Sequence, residues 1–391
     1  MILSQRIALD LNNVQATYFR KSCGTARFAY NWARAQWEAQ YKAGQKPTAF
    51  KLCKQFNAIK KAEFPWVSEV TSRAQEGAIL NLGEAYKRFF RKESAYPKFK
   101  KRGVKDSFEL PYRYVEVRDN TVRVPSLGWV RTFQPLRFQG LIKVAHIVRH
   151  GHRWFLSVAI ETENPFPQSE NQAAVGVDLG VTTMATLSTG EKLTGPKPHF
   201  HLLKRLRRLN KSLSRKQNGS RNRDKAKRRL SQLHARIGNI RKDFLHRLTN
   251  RLVTNFRVIA IEDLNVKGMV RNRPLARAIS DMGFYEFKRQ LKYKAEWRGV
   301  RVVEVDRFFP SSKTCSACGV IVESLPLSIR EWKCDCGSVH DRDINAAINL
   351  KNIAVKSTVS ACGEIGAGLV RKSKTKPISA KQESTSQRKA A

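Results

Sequence analysis

Residues 174–182 read Ala-Val-Gly-Val-Asp-Leu-Gly-Val-Thr, a short apolar strand pattern with one carboxylate, Asp178, inside it. A core strand does not bury a carboxylate without a partner, because removing the charge from water costs too much free energy. No lysine or arginine occurs in this stretch. Residues 184–190 predict the second strand of a hairpin. Asp178 is therefore a candidate functional residue.

Two further acids stand at the boundaries of predicted elements. Glu262 follows the apolar run Val258–Ile261, and open α/β sheets build their sites at the carboxyl ends of such strands. Asp343 lies in a stretch that predicts the start of a helix. Taken alone, Asp341 and Asp343 are explained as an N-cap and as a first-turn acid that stabilises the helix dipole.

Together, the three acids favour a site for divalent cations. Cations would neutralise Asp178, Glu262 and Asp343 at once, and oxygen ligands select Mg²⁺ or Mn²⁺. Two such ions about 4 Å apart activate water and stabilise the leaving oxygen in phosphodiester hydrolysis. A GxxxxGK[ST] phosphate loop does not occur in the sequence, which argues against a P-loop NTPase. The pattern predicts metal-dependent hydrolysis of phosphodiester bonds.

Four of the seven cysteines form a metal-ligand pattern. Cys315 and Cys318 make a CxxC pair, Cys334 and Cys336 make a tighter CxC pair, and a glycine follows each pair. This spacing nearly matches a four-cysteine zinc ribbon. The alternatives are four buried or free thiols, or a site in which His340 replaces one thiolate. Four protein ligands would leave no open position, so the predicted Zn²⁺ is structural.

The charge balance indicates the class of partner. The 391 residues include 74 lysines and arginines against 32 acids, a net charge of +42. Self-repulsion on that scale opposes the compact state, and binding to nucleic acid offsets it by counterion release. A membrane surface is the alternative, but the sequence shows neither an apolar run of about 18 residues nor a signal peptide. We expect a nucleic-acid-binding protein of the reducing cytoplasm.

The first part of the chain changes from helical to strand-like patterning. Residues 14–41 and 74–91 have helical spacing with aromatic and basic side chains. From Ser107 to Ile160, short alternating runs separated by turn signals predict a small β-barrel or sandwich. Barrels of this kind often bind oligonucleotides.

A strongly basic segment follows. Residues 201–250 contain 17 lysines and arginines but only two acids. Apolar residues at helical spacing flank a turn signal at residues 217–220, which predicts an antiparallel helical hairpin. So lopsided a charge favours contact with phosphates over a merely solvated face. The polar, basic tail at residues 371–391 predicts disorder.

The sequence resembles the TnpB family of transposon-encoded, RNA-guided DNA endonucleases, which are related to type V CRISPR effectors. The resemblance covers most of the chain and is most specific in four stretches: GVDLGVTTMATLS (176–188), AIEDLNVKGM (260–269), SSKTCSACG (311–319) and HDRDINAAINL (340–350). Two departures are the CxC pair and a start that lacks the family's early Tyr- and Arg-rich strand.

The resemblance implies a multidomain α+β fold. Its parts would be a RuvC/RNase H-like α/β nuclease domain with an inserted zinc ribbon, a helical recognition lobe and an oligonucleotide-binding-type β-barrel of wedge type. The implied boundaries are: barrel, 1–12 and 105–165; helical lobe, 13–104; nuclease, 172–310 and 340–355; zinc ribbon, 311–339; mostly disordered tail, 356–391.

The same resemblance implies the activity and its participants. Asp178, Glu262 and Asp343 would be the catalytic Mg²⁺ (or Mn²⁺) ligands, with Asp343 preferred over Asp341 because of its position before the x-Asn-Ala-Ala segment. The implied partners are a guide RNA and a double-stranded DNA target, bound by a single chain in the prokaryotic cytoplasm near the nucleoid. A transposase-like DNA strand transferase and a guided DNA-binding repressor without cleavage are the alternatives.

Overall fold

The structure is a computed structural model that describes residues 1–168, 173–326 and 328–363. The predicted disordered segment at 371–391 lies outside these residues. The chain divides into two compact units. The described residues of the first fall within 1–170, 195–254 and 266–300, and those of the second fall within 171–194, 255–265 and 301–391. Each mixes helices with strands, as expected for a multidomain α+β protein.

A seven-stranded antiparallel sheet dominates the first unit, with strand order β2-β6-β7-β1-β5-β4-β3. Its strands are β1 (Ile2–Asp10), β2 (Ser107–Leu110), β3 (Val117–Arg118), β4 (Thr121–Val124), β5 (Gly128–Thr132), β6 (Leu141–His150) and β7 (Arg153–Glu161). β1 pairs with β7 from Ile2 to Leu9 but with β5 only at Leu9 and Asp10. The N-terminal strand thus joins the two halves of the sheet.

The predicted barrel is not closed. The strand order has two ends, β2 and β3, and no pairing within the described residues joins them. The physical reason is length: β3 has two residues and β2 has four. Strands this short provide too few backbone hydrogen bonds to seal a sheet on itself.

Three helices pack on this sheet through a continuous hydrophobic core. They are α1 (Asn13–Lys42), α2 (Ala49–Glu63) and α3 (Ser72–Phe90). α1 and α3 confirm the predicted helices, whereas the sequence patterns did not single out α2. Asn12 and Gln15 form a capping box that starts α1, and Phe19 of α1 packs edge-on against Trp154 of the sheet.

The predicted basic hairpin is confirmed in the first unit. It consists of α5 (Leu203–Ser214) and α6 (Arg221–Asn255), and Leu206, Leu233 and Ile237 form its apolar seam. Most of its lysines and arginines are exposed. The remaining helices of this unit are α4 (Pro198–His201), α7 (Val266–Met269), α8 (Arg273–Met282) and α9 (Phe284–Arg298).

A five-stranded mixed sheet forms the second unit, with strand order β10-β9-β8-β11-β12. Its strands are β8 (Ala174–Asp178), β9 (Ala185–Leu187), β10 (Lys192–Leu193), β11 (Val258–Glu262) and β12 (Arg301–Val305). β11 runs parallel to both β8 and β12, while β8, β9 and β10 are antiparallel. A separate hairpin, β13 (Glu331–Lys333) and β14 (Val339–Asp341), precedes the helix α10 (Arg342–Gly363).

Helix α10 lies directly on this sheet at Gly176 of β8. A Cβ atom at Gly176 would collide with the carbonyl oxygen of Ala347 and would lie 2.7 Å from the backbone nitrogen of Lys351. Leu350 and Ala354 of the same helix pack with Ala260 of β11. The glycine therefore sets how closely the helix approaches the strands.

None of the helices in the described part of the chain is both long enough and apolar enough to cross a bilayer.

Candidate metal centres

The first two candidate acids end neighbouring parallel strands. Ile261 of β11 pairs with Val177 of β8, so Glu262 and Asp178, the next residues on each strand, come side by side at the carboxyl edge. Because side chains alternate along a strand, equal register places both carboxylates on the same face of the sheet. The position predicted for Glu262 at a strand end is confirmed.

Asp343 approaches from the first turn of α10. The electrostatics show that the three acids are neighbours: burial, and after it the charges of Glu262 and Asp343, together raise the pKa of Asp178 to about 7. The Arg342 guanidinium opposes this shift but does not cancel it. Like-charged carboxylates at one edge of a sheet have a high affinity for an added cation, which relieves their repulsion.

Each of the other two acids has a cationic or polar partner that the sequence did not reveal. The hydroxyl of Ser311 donates a hydrogen bond of 2.6 Å to Oε1 of Glu262. Nη1 of Arg330 lies 3.3 Å from Oδ1 of Asp343. Ser311 opens the SSKTCSACG stretch, but nothing in the local pattern pairs it with a strand some 49 residues earlier.

Asp341, the acid that competes with Asp343 in the sequence, is a helix cap. Its Oδ1 accepts hydrogen bonds from the backbone nitrogens of Asp343, at 3.1 Å, and Ile344, at 3.0 Å. Its Oδ2 lies 2.5 Å from Nζ of Lys192. Burial alone would raise the pKa of Asp341, but the hydrogen bonds from Lys192 and Ile344 hold it below its usual value. The capping role considered for Asp341 is confirmed.

The four predicted cysteines converge at one point. Their sulfur atoms all lie within 4.8 Å of one another, with Cys315 Sγ 3.8 Å from Cys336 Sγ and Cys318 Sγ 3.6 Å from Cys334 Sγ. A tetrahedron of sulfurs about 2.3 Å from a central Zn²⁺ has edges of about 3.8 Å. Two of the sulfur separations match these edges, so the donor set and its spacing suit tetrahedral Zn²⁺. Within the described residues, no group of acids is gathered so tightly.

Different turns build the two cysteine pairs. After CxxC, the backbone nitrogen of Gly319 donates to the carbonyl of Cys315, and after CxC that of Gly337 donates to Cys334, each at 2.9 Å. Both glycines have positive φ, +81° and +89°, a conformation that other residues rarely adopt. The shortened CxC pair thus closes a turn one residue tighter, and its sulfurs still reach the cluster.

His340 contacts the cluster but lies outside the group of four cysteines. Its Nε2 lies 3.0 Å from Cys315 Sγ, and Trp332 packs against its ring, with the ring centroids 4.8 Å apart. An imidazole at this place can hydrogen-bond to a thiolate and support it from outside the ligand set. On the exposed side, hydrogen bonds from Ser338 lower the pKa of Cys336 to about 6, which favours the thiolate that metals require.

Comparison with known proteins places this fold in a family. Three family models match: "Probable transposase" over residues 157–273, "Cas12f1-like, TNB domain" over 284–350, and "Helix-turn-helix domain" over 1–46. A Streptomyces pristinaespiralis protein named "Putative RNA-guided DNA endonuclease" is 39% identical, with 94% of this chain and 93% of that protein covered.

The chain belongs to the TnpB family. Another relative, the Escherichia coli K12 protein named "Putative RNA-guided DNA endonuclease InsQ", is 34% identical over 90% of this chain and 91% of its own length. Among solved structures, Cas12f1 in a complex with single guide RNA and target DNA is similar, with a TM-score of 0.55 at 15% identity, covering 85% of this chain and 82% of that one. At that identity the likeness shows a shared fold for this TnpB-family chain.

Proposed function

We propose that this TnpB-family chain is an RNA-guided DNA endonuclease that hydrolyses phosphodiester bonds at a RuvC-like site formed by Asp178, Glu262 and Asp343. The observation that carries the proposal is the meeting of three carboxylates at one edge of the second sheet, where burial and the charges of Glu262 and Asp343 raise the pKa of Asp178 to about 7. The names of full-length relatives supply the substrate class.

The three carboxylates would hold Mg²⁺ or Mn²⁺, which when bound supplies an activated water and stabilises the leaving oxygen. Burial and the charges of Glu262 and Asp343 raise the pKa of Asp178, so a cation that binds there would displace its proton. Ser311 fixes one oxygen of Glu262 and leaves the other free to act as a ligand. Arg330 offsets part of the charge of Asp343.

The remaining parts supply binding and structure. The exposed basic faces of α5 and α6 suit the sugar-phosphate backbone of a guide RNA, since phosphate contacts dominate the affinity of such complexes. We assign the seven-stranded sheet to the wedge, α1–α3 to the recognition lobe, and Cys315, Cys318, Cys334 and Cys336 to a structural Zn²⁺ in a ribbon-like module. Base pairing with a double-stranded DNA target would supply sequence specificity.

The test combines RNA capture with cleavage. We expect the purified chain to carry one RNA species and, with Mg²⁺, to cut a plasmid that matches its guide segment. Asp343→Asn should abolish cutting. Asp341→Asn makes the same change two residues earlier and retains a side chain that can cap the helix, so this variant should cut within a few-fold of the wild type.

Other outcomes would reassign the function. Joining of transposon-end DNA without a discrete RNA would identify a strand transferase. Tight guided binding without cleavage by the wild type would identify a guided repressor. Equal loss of cleavage in Asp341→Asn and Asp343→Asn would show that Asp343 has no role in cleavage that Asp341 lacks.

A further inference from the structure

One short loop runs between the two candidate metal centres of the second unit. Ser311 stands at its start, 6% exposed, with its hydroxyl on Glu262. Cys315 stands near its end, 1% exposed, with its sulfur in the four-cysteine cluster. The carboxylate and the cluster are therefore connected through a few residues of backbone.

Two asparagines of α10 fasten this loop. Asn345 is 1% exposed and Asn349 is 5% exposed, and their spacing of four residues places them on the same face of the helix. Nδ2 of Asn349 donates to the backbone carbonyls of Ser311, at 2.8 Å, and Thr314, at 2.6 Å. We call this pair the asparagine clamp.

Asn345 completes the clamp with hydrogen bonds in both directions. Its Nδ2 donates to the carbonyl of Thr314 at 2.7 Å, and its Oδ1 accepts from the backbone nitrogen of Ser316 at 2.9 Å. Buried amides with satisfied donors and acceptors have little freedom to rearrange, because a broken hydrogen bond would leave a buried polar group unpaired. The loop is thus fixed to the helix whose first turn carries Asp343.

We propose that Ser311 is a positioning residue for Glu262, and that the asparagine clamp acts through Ser311 by holding the cysteine-bearing loop on the helix of Asp343. The inference rests on the proposed function for the role of the two acids. Groups that orient a metal ligand from outside the coordination shell commonly change metal affinity by about 10–100-fold when removed. Ser311 has that relation to Glu262, and Asn345 and Asn349 hold the loop that carries Ser311.

The first test measures Mn²⁺ binding by the full-length protein from the electron paramagnetic resonance signal of the free ion. Ser311→Ala should weaken binding by about 10–100-fold, and Ser311→Thr, which retains a hydroxyl, should restore most of it. Ser312→Ala is the matched control, since the Ser312 hydroxyl makes no hydrogen bond within the described structure. Equal Mn²⁺ affinity in Ser311→Ala and Ser312→Ala would overturn the positioning role.

The second test separates the clamp from general stability. Asn349→Asp removes both donors to the loop, and Asn352→Asp makes the same change at an exposed position of α10. We expect Asn349→Asp alone to weaken Mn²⁺ binding and the double variant with Ser311→Ala to be no weaker than Ser311→Ala. Co²⁺ bound at the cysteines, followed by its thiolate absorption, should be unchanged in both variants. Fully additive losses, or equal affinity in Asn349→Asp and Asn352→Asp, would refute the clamp.

These measurements stand apart from cleavage. A wild type that binds Mn²⁺ through Asp178 but cuts no guided target would refute the proposed function alone. A wild type that cuts, with Mn²⁺ affinity unchanged in Ser311→Ala, would refute the positioning role alone.

Discussion

The two candidate metal centres are built in opposite ways. The cysteines come from two short turns, with Cys315 and Cys336 separated by 21 positions in the sequence, and their sulfurs already lie within 4.8 Å of one another. The acids come from two strands and a helix that are distant in sequence, and their charges oppose one another at Asp178. Local turns fix the first centre, whereas sheet register and helix packing fix the second. Damage to the cysteines should therefore reduce stability, and damage to the acids should reduce chemistry.

The largest effect should come from Asp178→Ala. Metal-ion stabilisation of a transition state contributes several kcal/mol, so we expect at least about a 10³-fold slower cleavage of guide-matched plasmid in single-turnover assays. The melting temperature should not fall, because the substitution removes an acid that its neighbours repel. Binding to the guided target is the control and should be retained. If the variant cleaves within tenfold of the wild-type rate, these acids do not take part in the reaction.

Cys334→Ser should show the opposite behaviour. The variant should lose close to one equivalent of Zn²⁺, measured by mass spectrometry of the metal, and its second unit should melt earlier, since structural Zn²⁺ contributes folding free energy directly. Cys53→Ser, at a half-buried thiol of the first unit, is the matched control and should retain its metal. Identical metal content in the two variants would show that Cys334 is not a Zn²⁺ ligand.

The acids should also make the stability of the protein depend on pH. The pKa of Asp178 is about 7 in the fold against an ordinary value of 3.8, so the folded state binds more protons between these values. Without added Mg²⁺, the contribution of Asp178 is fully present below pH 3.8 and is lost as the pH rises through 7, with a slope of at most about 1.4 kcal/mol per pH unit.

Thermal melts of the wild type and Asp178→Asn between pH 5 and 8 measure this difference. The asparagine variant should lose less stability with rising pH, and Mg²⁺ should stabilise the wild type more at pH 8 than at pH 5, because proton and cation compete for the site. Parallel pH curves for the two proteins would contradict the raised pKa.

A smaller effect should follow from Gly176→Ala, which presses α10 away from β8. Overpacking of this kind destabilises by about 1–3 kcal/mol, measured by denaturant unfolding, and it should also slow cleavage because Asp343 moves with the helix. Gly238→Ala is the matched control, since a Cβ in that part of α6 meets nothing within 4 Å. It should be neutral or stabilise by about 0.5–1 kcal/mol. Equal destabilisation of the two variants would show that Gly176 does not set the packing of α10 on β8.

Features written in short stretches of sequence could be predicted, and features made by distant pairing could not. A sequence pattern of about ten residues is enough to predict each of three features: the apolar run before Glu262, the hairpin turn at residues 217–220 and the glycine behind each cysteine pair. Closure of the first sheet depends on whether β2 meets β3, which no local pattern encodes. The contact between Ser311 and Glu262 depends on the register of a loop against a strand.

The choice between Asp341 and Asp343 shows where local reasoning ends. Both acids suit a helix start, and the structure gives Asp341 that role. Only family resemblance pointed to Asp343, and its effect on the pKa of Asp178 agrees with that choice. Helix propensity and capping rules describe the backbone of one segment. Whether a carboxylate can bind a metal depends on which other ligands the fold brings close to it.

The order of the elements along the chain also determines when such a site can exist during synthesis. β8 leaves the ribosome long before α10, and the sheet cannot be covered at Gly176 until residues beyond Lys351 have emerged. At about 5–20 residues per second, the interval is on the order of ten seconds or more. During that time a nascent chain has at most two of its three acids and lacks the proposed cleavage centre. Nuclease activity would therefore be impossible until translation has passed α10.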